Sequence, residues 1–457
     1  MTSEKTQLSG QVVREIFEAV LPEEHLRAIV KKAHFEERSR KRDAVALLRA
    51  MVIAASTGYG GRQRDVARIY FDSGAPAVVR GGFYAWFGPE LEQAMVAVLH
   101  SAMTYAAALP LDLPPVMAKF ARDFHIFDST TIKLPLELFA EYPGAGKYAA
   151  LKVHKRLSVG LGTVVDYSIS PARDHDSLHL TIDESWRGLG VLMDLGYASL
   201  KRLRSCEEHG VVFVLRLKEN WKPRVQCIHR GEVTATFFAG SDLDVLLENG
   251  TLRMDGRIID ATVTLGPAGQ PLSCRLVGVP GLYGDYHFYL TNLPRAAGPR
   301  QVADLYRVRW EIESDNKLDK SCAHLDEIAA RTGPAVRALL RASMVSSMLA
   351  CLIVHRQRLG QRRPSASGAE RKYAPLHPQT LARAMAATGL RIAATLDLEA
   401  KAAIPEWQKI ADYLVHLGSD PNWRSRPSVL DQMRGWRAAS RRTRSARVAS
   451  TVRPRAK

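Results

Sequence analysis

Two short apolar runs that each end in an aspartate constrain this chain most: Phe124-His125-Ile126-Phe127-Asp128 and Val191-Leu192-Met193-Asp194. Such runs read as buried strands, and an acid at the end of a buried strand lies at the rim of a sheet. The surrounding sequence supports this. Leu151 to Val159 alternates apolar with basic residues, and Thr163 to Ile169 reads as another strand. Leu200 to Glu208 has helical spacing, and Val211 to Leu217 is strongly β-branched. Three meandering strands followed by strand, helix and strand predict an α/β fold with a mixed sheet flanked by helices.

The flanks differ in texture. Residues 8–112 read as helices, with Val12, Val13, Ile16, Val20 and Leu21 recurring at helical spacing. Gly58-Tyr59-Gly60-Gly61 interrupts them before a short amphipathic helix at Val66 to Phe71. Helix, glycine turn and short helix are compatible with a helix-turn-helix DNA reader and equally with an ordinary small bundle. Pro110, Pro114 and Pro115 mark a boundary. Residues 222–300 carry short β-like runs separated by Gly, Pro and Asn, and read as a β-rich insertion. Helices resume near Gln301 and from Pro334 to Gln357. Gln361 to Tyr373 reads as a linker, and residues 378–438 as a final helical region. The expected division is a helical DNA-binding domain at 1–115, a catalytic domain at 116–360 with its insertion at 222–300, and a helical, basic C-terminal region at 361–457.

The net charge of +17 calls for a polyanionic partner, since each Lys or Arg set against a phosphate releases a counterion. The tail from Arg434 to Lys457 holds nine Lys or Arg and no acid. Five scattered cysteines with no CxxC spacing argue against a zinc framework or a disulfide scaffold, and favour a reducing compartment. The polar start, Met1-Thr2-Ser3-Glu4-Lys5, does not read as a signal peptide. Ala342 to Val354 is apolar but shorter than the ~20 residues that span a bilayer, so it reads as a buried helix. The expectation is a soluble, cytoplasmic protein, associated with the nucleoid when bound to DNA.

One helical stripe adds chemistry. On a wheel of 3.6 residues per turn, Tyr306, Arg309, Glu313, Lys317 and Lys320 fall within roughly 80° of one another. Glu311, Asp315 and Asp319 fall on the far side, while Leu305, Val308 and Ile312 can seat the helix. One carboxylate among a phenol, a guanidinium and two ammonium groups suits a metal-bearing site on DNA. The competing reading is a solvated stripe laced by a Glu313–Lys317 pair worth about 0.2–0.5 kcal/mol.

This pattern of Tyr306, Arg309, Glu313 and Lys320 resembles the signature of the IS4-type DDE transposases, whose core is ribonuclease-H-like. Asp128-Ser129-Thr130 is similar to the segment carrying the family's first acid, and Asp194-Leu195-Gly196-Tyr197 to that carrying its second. Arg216-Leu217-Lys218-Glu219-Asn220 looks like the basic strand that comes after it. The likeness covers roughly residues 120–350. It departs from the commoner pattern at Ser314-Asp315-Asn316, where an aromatic-containing run is usual.

The resemblance implies that Asp128, Asp194 and Glu313 hold two Mg²⁺ or Mn²⁺ ions, hard cations suited to oxygen ligands. Tyr306, Arg309, Lys317 and Lys320 would then grip phosphates, with Arg216 and Lys218 assisting. The implied reaction is cleavage of double-stranded DNA at transposon ends, through a hairpin, and strand transfer into target DNA by a homodimer. A flipped base could stack on Trp221, Tyr283 or Tyr286. The alternatives are a nuclease of the same fold, a domesticated transposase that only binds DNA, and, more distantly, a basic RNA-binding protein.

Overall fold

The structure, a computed structural model, describes residues 8–35, 42–57, 62–281, 285–360, 374–423 and 425–437. The glycine turn at 58–61, Tyr283, the expected linker at 361–373 and most of the basic tail lie outside the described residues. Two compact units emerge: Met1–Pro114 with Lys317–Lys457, and Pro115–Asn316. The chain enters through six helices, α1 (Gly10–Val20), α2 (Glu23–Lys32), α3 (Ala44–Ser56), α4 (Gln63–Asp72), α5 (Arg80–Tyr84) and α6 (Pro89–Ala107).

The second unit begins with the single turn α7 (Pro115–Ala118) and an antiparallel meander of β1 (Phe124–Leu134), β2 (Ala149–Ser158) and β3 (Thr163–Pro171). β4 (Gly190–Met193) pairs with the free side of β1 in parallel. After α8 (Leu200–Glu208), β5 (Val212–Arg216) adds in parallel to β4. The resulting order, β3-β2-β1-β4-β5, is the ribonuclease-H-like mixed sheet expected from the sequence. Phe127 pairs with Met193, so Asp128 and Asp194 are the next residues on neighbouring parallel strands.

The insertion does not form a separate body. It comprises β6 (Arg224–Arg230), β7 (Glu232–Val233), β8 (Ser241–Asp242), α9 (Leu243–Glu248), β9 (Leu252–Arg253), β10 (Ile259–Leu265), β11 (Leu272–Pro280) and β12 (Tyr286–Thr291). β12 pairs antiparallel with β5, and β11, β10, β6 and β8 come next, extending the core sheet to ten strands. Leu215, Leu276, Leu290, Val263 and Ala261 then share one apolar core with Val191 and Phe213. Arg275 ties this extension to the turn ahead of the next helix, α10 (Pro299–Arg307). It donates to both Asp260 oxygens (2.8 and 2.6 Å) and to the carbonyls of Pro294 (2.9 Å) and Ala297 (2.8 Å).

The expected single helix through Tyr306 and Glu313 is two helices. α10 ends at Arg307, and α11 (Trp310–Ser321) starts after a break at Val308 and Arg309. The break is a run of i→i+3 hydrogen bonds, from the N–H of Val308, Arg309, Glu311 and Ile312, which winds the chain more tightly than an α-helix. Leu305, Val308 and Ile312 stay fully buried through it, as the apolar pattern required.

The remaining helices are α12 (Gly333–Gly360), α13 (Pro378–Leu396), α14 (Ala400–Gly418) and α15 (Val429–Met433). They belong with α1–α6, so the three-part division expected from the sequence becomes two units, with α12 outside the sheet-bearing one. The physical reason lies in α12 itself. It is long and apolar enough to cross a membrane, yet that stretch is wholly buried, and a helix apolar all round needs helices on every side. Glu92 on α6 receives Arg337 (2.7 Å) and Arg341 (3.0 Å) from α12, and Glu15 on α1 receives Arg356 (2.8 Å). Gly10 lies against the backbone of Trp407 and Gln408 with no room for a side chain, which closes α1 onto α14.

Gly190 faces Phe124 across the β1–β4 pair, and a Cβ there would strike the Phe124 ring. Gly190→Ala is therefore expected to lower unfolding stability by about 1–3 kcal/mol through overpacking, as read by denaturant titration.

Candidate active site

The two aspartates reach the site from different strands for one reason: parallel neighbours in register lie about 4.8 Å apart. Asp128 is half-buried in β1, and Asp194 follows β4 directly. Asp194 Oδ2 accepts the Gly196 N–H (3.2 Å), so the residue is both a turn-former and a site carboxylate. Its Oδ1 lies 3.8 Å from Arg309 Nη1. Arg309 Nη2 donates to Glu313 Oε1 (2.8 Å), so one guanidinium spans the second and third acids. Asn316, one turn beyond Glu313, donates from Nδ2 to Asp128 Oδ2 (3.2 Å). Asp194 and Glu313 thus share one guanidinium, while Asp128 meets the same helix through Asn316.

Burial pushes the Asp128 carboxyl up to about 6, and repulsion from Asp194 adds to it, against a lowering contribution from the Ser129 backbone N–H. Among the described residues no three His, Cys, Asp or Glu side chains converge closely enough to chelate an ion, and Arg309 stands between Asp194 and Glu313. The donor chemistry fits a divalent cation nonetheless. The oxygens are hard, and Asn316 Oδ1 beside Asp128 is a further buried oxygen without a hydrogen-bond partner among the described residues.

The basic residues fare differently. Tyr306, expected to grip phosphate, is only 8% exposed; it packs on Tyr289 (5.4 Å between rings) and beneath the Arg309 guanidinium. Its position is that of a support for Arg309, because the helix break turns it into the core. Arg216 is exposed and pairs with His287 (3.1 Å). Lys218 donates to the Ala198 carbonyl (2.7 Å), bracing the loop that carries Asp194. Lys317 is exposed and Lys320 half-buried on the last turns of α11. Trp221 lies against the sheet's core and the Lys218 ammonium, and Tyr286 donates its hydroxyl to the Arg257 carbonyl.

Several residues around the site escape sequence reasoning. Lys155 is fully buried and donates to Asp315 (2.5 Å), itself nearly buried on α11. Lys155 also faces Asp128 in the β1–β2 register. Removing one partner of such a pair costs about 3–5 kcal/mol. A signal was present: Leu151, Val153 and Leu157 alternate with Lys155 on the same strand face, and a lysine on an apolar face demands a buried acid. The far-side acids of the helical wheel therefore include the one that seats the helix. Asp176 accepts from Ser129 Oγ (3.1 Å) and Lys152 Nζ (2.9 Å) beside the site. His125 is buried against Trp186. His154 bonds Tyr197 (3.3 Å) and Ser170 (3.0 Å), and burial holds its imidazole down at about 4.

The helical unit holds a separate cleft of about 750 Å³, lined by Arg62, Gln63, Arg64, Arg80, Tyr84 and Arg331, with no acid among its lining residues. Arg80 stacks on Tyr84 (5.2 Å), and Arg64 lies 3.6 Å from Asp65 just outside the cleft. The N-terminus of α4 opens there and adds its partial positive charge.

A ribonuclease-H-like sheet with one acid within its first strand, a second just past the neighbouring parallel strand and a third on a later helix defines the class of DDE-type cores. A family model described as a transposase DDE domain matches residues 119–349, just over half of the 457 residues. The chain belongs to that family of transposase DDE domains. It is similar to the transposase for insertion sequence element IS231C of Bacillus thuringiensis subsp. berliner, 30% identical over 240 residues, covering 43% of this chain and 49% of that protein. The IS231F transposase of Bacillus thuringiensis subsp. israelensis is 28% identical over 248 residues, covering 46% and 52%. The chain thus spans about half the length of the curated relatives it matches. A cryo-EM structure of the piggyBac transposase synaptic complex with hairpin DNA aligns over 91% of this chain and 86% of that one, at 10% identity and a TM-score of 0.46.

The raised Asp128 carboxyl sets a pH dependence. It titrates near 3.8 when unfolded and at about 6 when folded, so the cost of ionising it in the fold grows as pH rises between those values. In chelator-containing buffer at neutral pH, Asp128→Asn is expected to be more stable than the wild type by up to about 3 kcal/mol. Denaturant titrations across the acid range should find that gap closing as pH falls towards 4.

Proposed function

We propose that this chain is a cut-and-paste transposase, which cleaves double-stranded DNA at the ends of its element and joins the freed 3′-ends to target DNA. The observation that carries the reading is the placement of three acids on a ribonuclease-H-like sheet and the helix beside it: Arg309 joins Asp194 to Glu313, and Asn316 of the same helix donates to Asp128. Enzymes of this family use divalent metal ions. Here two Mg²⁺ or Mn²⁺ ions, held by Asp128, Asp194 and Glu313, would activate the attacking oxygen and stabilise the leaving one in an in-line displacement.

The chain's own residues do the rest. Asp128, Asp194 and Glu313 would be the residues to hold the ions. Arg309 would then offer its guanidinium to a scissile-strand phosphate, with Tyr306 keeping it in reach. Lys317, Lys320, Arg216 and Lys218 add positive charge for neighbouring phosphates, contacts that position DNA without reading its sequence. The freed 3′-hydroxyl would attack the phosphodiester of the opposite strand, closing a hairpin on the element end and releasing the flanking DNA with a 3′-hydroxyl; hydrolysis of the hairpin would restore the element's 3′-hydroxyl for transfer. Two ends must be cut and joined together, which calls for a homodimer. The arginine cleft of the helical unit supports DNA end binding by those helices.

The deciding assay uses linear DNA carrying the element's own flanking ends, with Mg²⁺. Glu313→Gln is expected to reduce cleavage by more than about a hundredfold, beyond what an outer-shell partner costs, while DNA binding persists. Cleavage without any joined product in the wild type would move the reading to a nuclease. Equal cleavage by both proteins would remove Glu313 from the chemistry.

A second measurement addresses the cleft. Arg64→Ala with Arg80→Ala should weaken binding to end DNA and flatten the salt dependence, lowering the slope of log K against log salt by roughly 0.9 for each phosphate that is no longer neutralised. An unchanged slope in filter-binding or anisotropy titrations would take the cleft out of the DNA path.

A further inference from the structure

We infer that Asn316 is a fourth member of the metal site, its side-chain carbonyl serving as an oxygen donor to the divalent cation beside Asp128, Asp194 and Glu313. This rests on the metal-dependent reading above and extends it to a residue that the acid pattern does not contain.

Helix spacing places the residue. Asn316 follows Glu313 by three residues on α11, so the two side chains leave the same face. Asn316 Nδ2 donates to Asp128 Oδ2 at 3.2 Å. The amide must be oriented this way round when the carboxylate is ionised, because a carboxylate only accepts. That leaves Asn316 Oδ1 as the outstanding atom. It is buried and has no hydrogen-bond partner among the described residues. Buried polar atoms are nearly always satisfied, by a protein group, an ordered water or an ion, and beside a carboxylate a cation answers both oxygens at once. Amide carbonyls are hard oxygen ligands of the kind Mg²⁺ and Mn²⁺ take.

The helix cannot readily carry this amide away. Asp315, the preceding residue, is held at 2.5 Å by Lys155, which is fully buried in β2. The segment Ser314-Asp315-Asn316 is also where the sequence departs from the commoner family pattern. Its polar residues now have local employment: Asp315 fixes α11 to the sheet, and Asn316 turns an amide towards Asp128.

The test is Mn²⁺ titration of the full chain without DNA, followed by electron paramagnetic resonance of the free ion, with thermal melting as a fold control. The variants are Asn316→Leu, Asn316→Asp and Glu313→Gln, with Asn316→Ala standing in if the leucine variant does not fold. The expected result is an affinity for Mn²⁺ at least about tenfold weaker in Asn316→Leu, restored to within a few-fold in Asn316→Asp, which keeps an oxygen donor. Unchanged affinity in Asn316→Leu, with Glu313→Gln weakened, would overturn the inference and leave the metal reading intact. Loss in both Asn316 variants would assign the residue to packing of α11 and also overturn it. Equal Mn²⁺ binding by wild type and Glu313→Gln would remove the metal reading itself, and this inference with it.

Discussion

The parallel pairing of β1 with β4 is the constraint on which the catalytic unit depends. It sets two carboxylates side by side, Asp128 within β1 and Asp194 just past the end of β4, from residues far apart in sequence. Electrostatics oppose that arrangement, and the surroundings are organised to tolerate it. Arg309 spans Asp194 and Glu313, Asn316 donates to Asp128, and Lys155 stands across the strand from Asp128. Burial still holds the Asp128 carboxyl well above its ordinary range, and repulsion from Asp194 adds to it.

The helix that delivers Glu313 is held by two buried ion pairs of different reach. Lys155 grips Asp315 within α11 itself, while Arg275 and Asp260 fasten the turn that leads into α10 onto the extended half of the sheet. Both pairs are largely withdrawn from water, so each is strongly directional, and losing one partner strands a charge. The insertion therefore contributes to the site indirectly. By adding β12 to the edge of β5, it makes one continuous sheet on which α10 and α11 are seated.

The helical unit obeys a separate logic. The buried apolar stretch of α12 requires helices around it, and segments from both ends of the sequence supply them, with Gly10 permitting α1 to meet α14 at backbone distance. Charge is concentrated at defined points: Glu92 and Glu15 neutralise arginines of α12, whereas Arg62, Arg64, Arg80 and Arg331 line a cleft without a lining acid. The latter pattern is that of a surface built to meet an anion.

Local sequence determined the strands that carry Asp128 and lead into Asp194, the helical stretches at either end, and the spacing that singled out Glu313, because each is written in side-chain periodicity over a few residues. The expected strand end at Asp128 was not met, since pairing with β2 carries β1 on to Leu134. Asp315, Asn316 and Asp176 were beyond its reach, since nothing local distinguishes a solvated polar residue from one that meets a partner across the sheet. Lys155 lay between these cases: its strand face was readable, its acid was not. The break at Val308 and Arg309 and the burial of Tyr306 were likewise decided by tertiary packing, which holds Leu305, Val308 and Ile312 in the core at the expense of regular helix. The merging of the N- and C-terminal helices into one unit has the same origin, for periodicity says which face of a helix is apolar, and only the folded chain says what covers it.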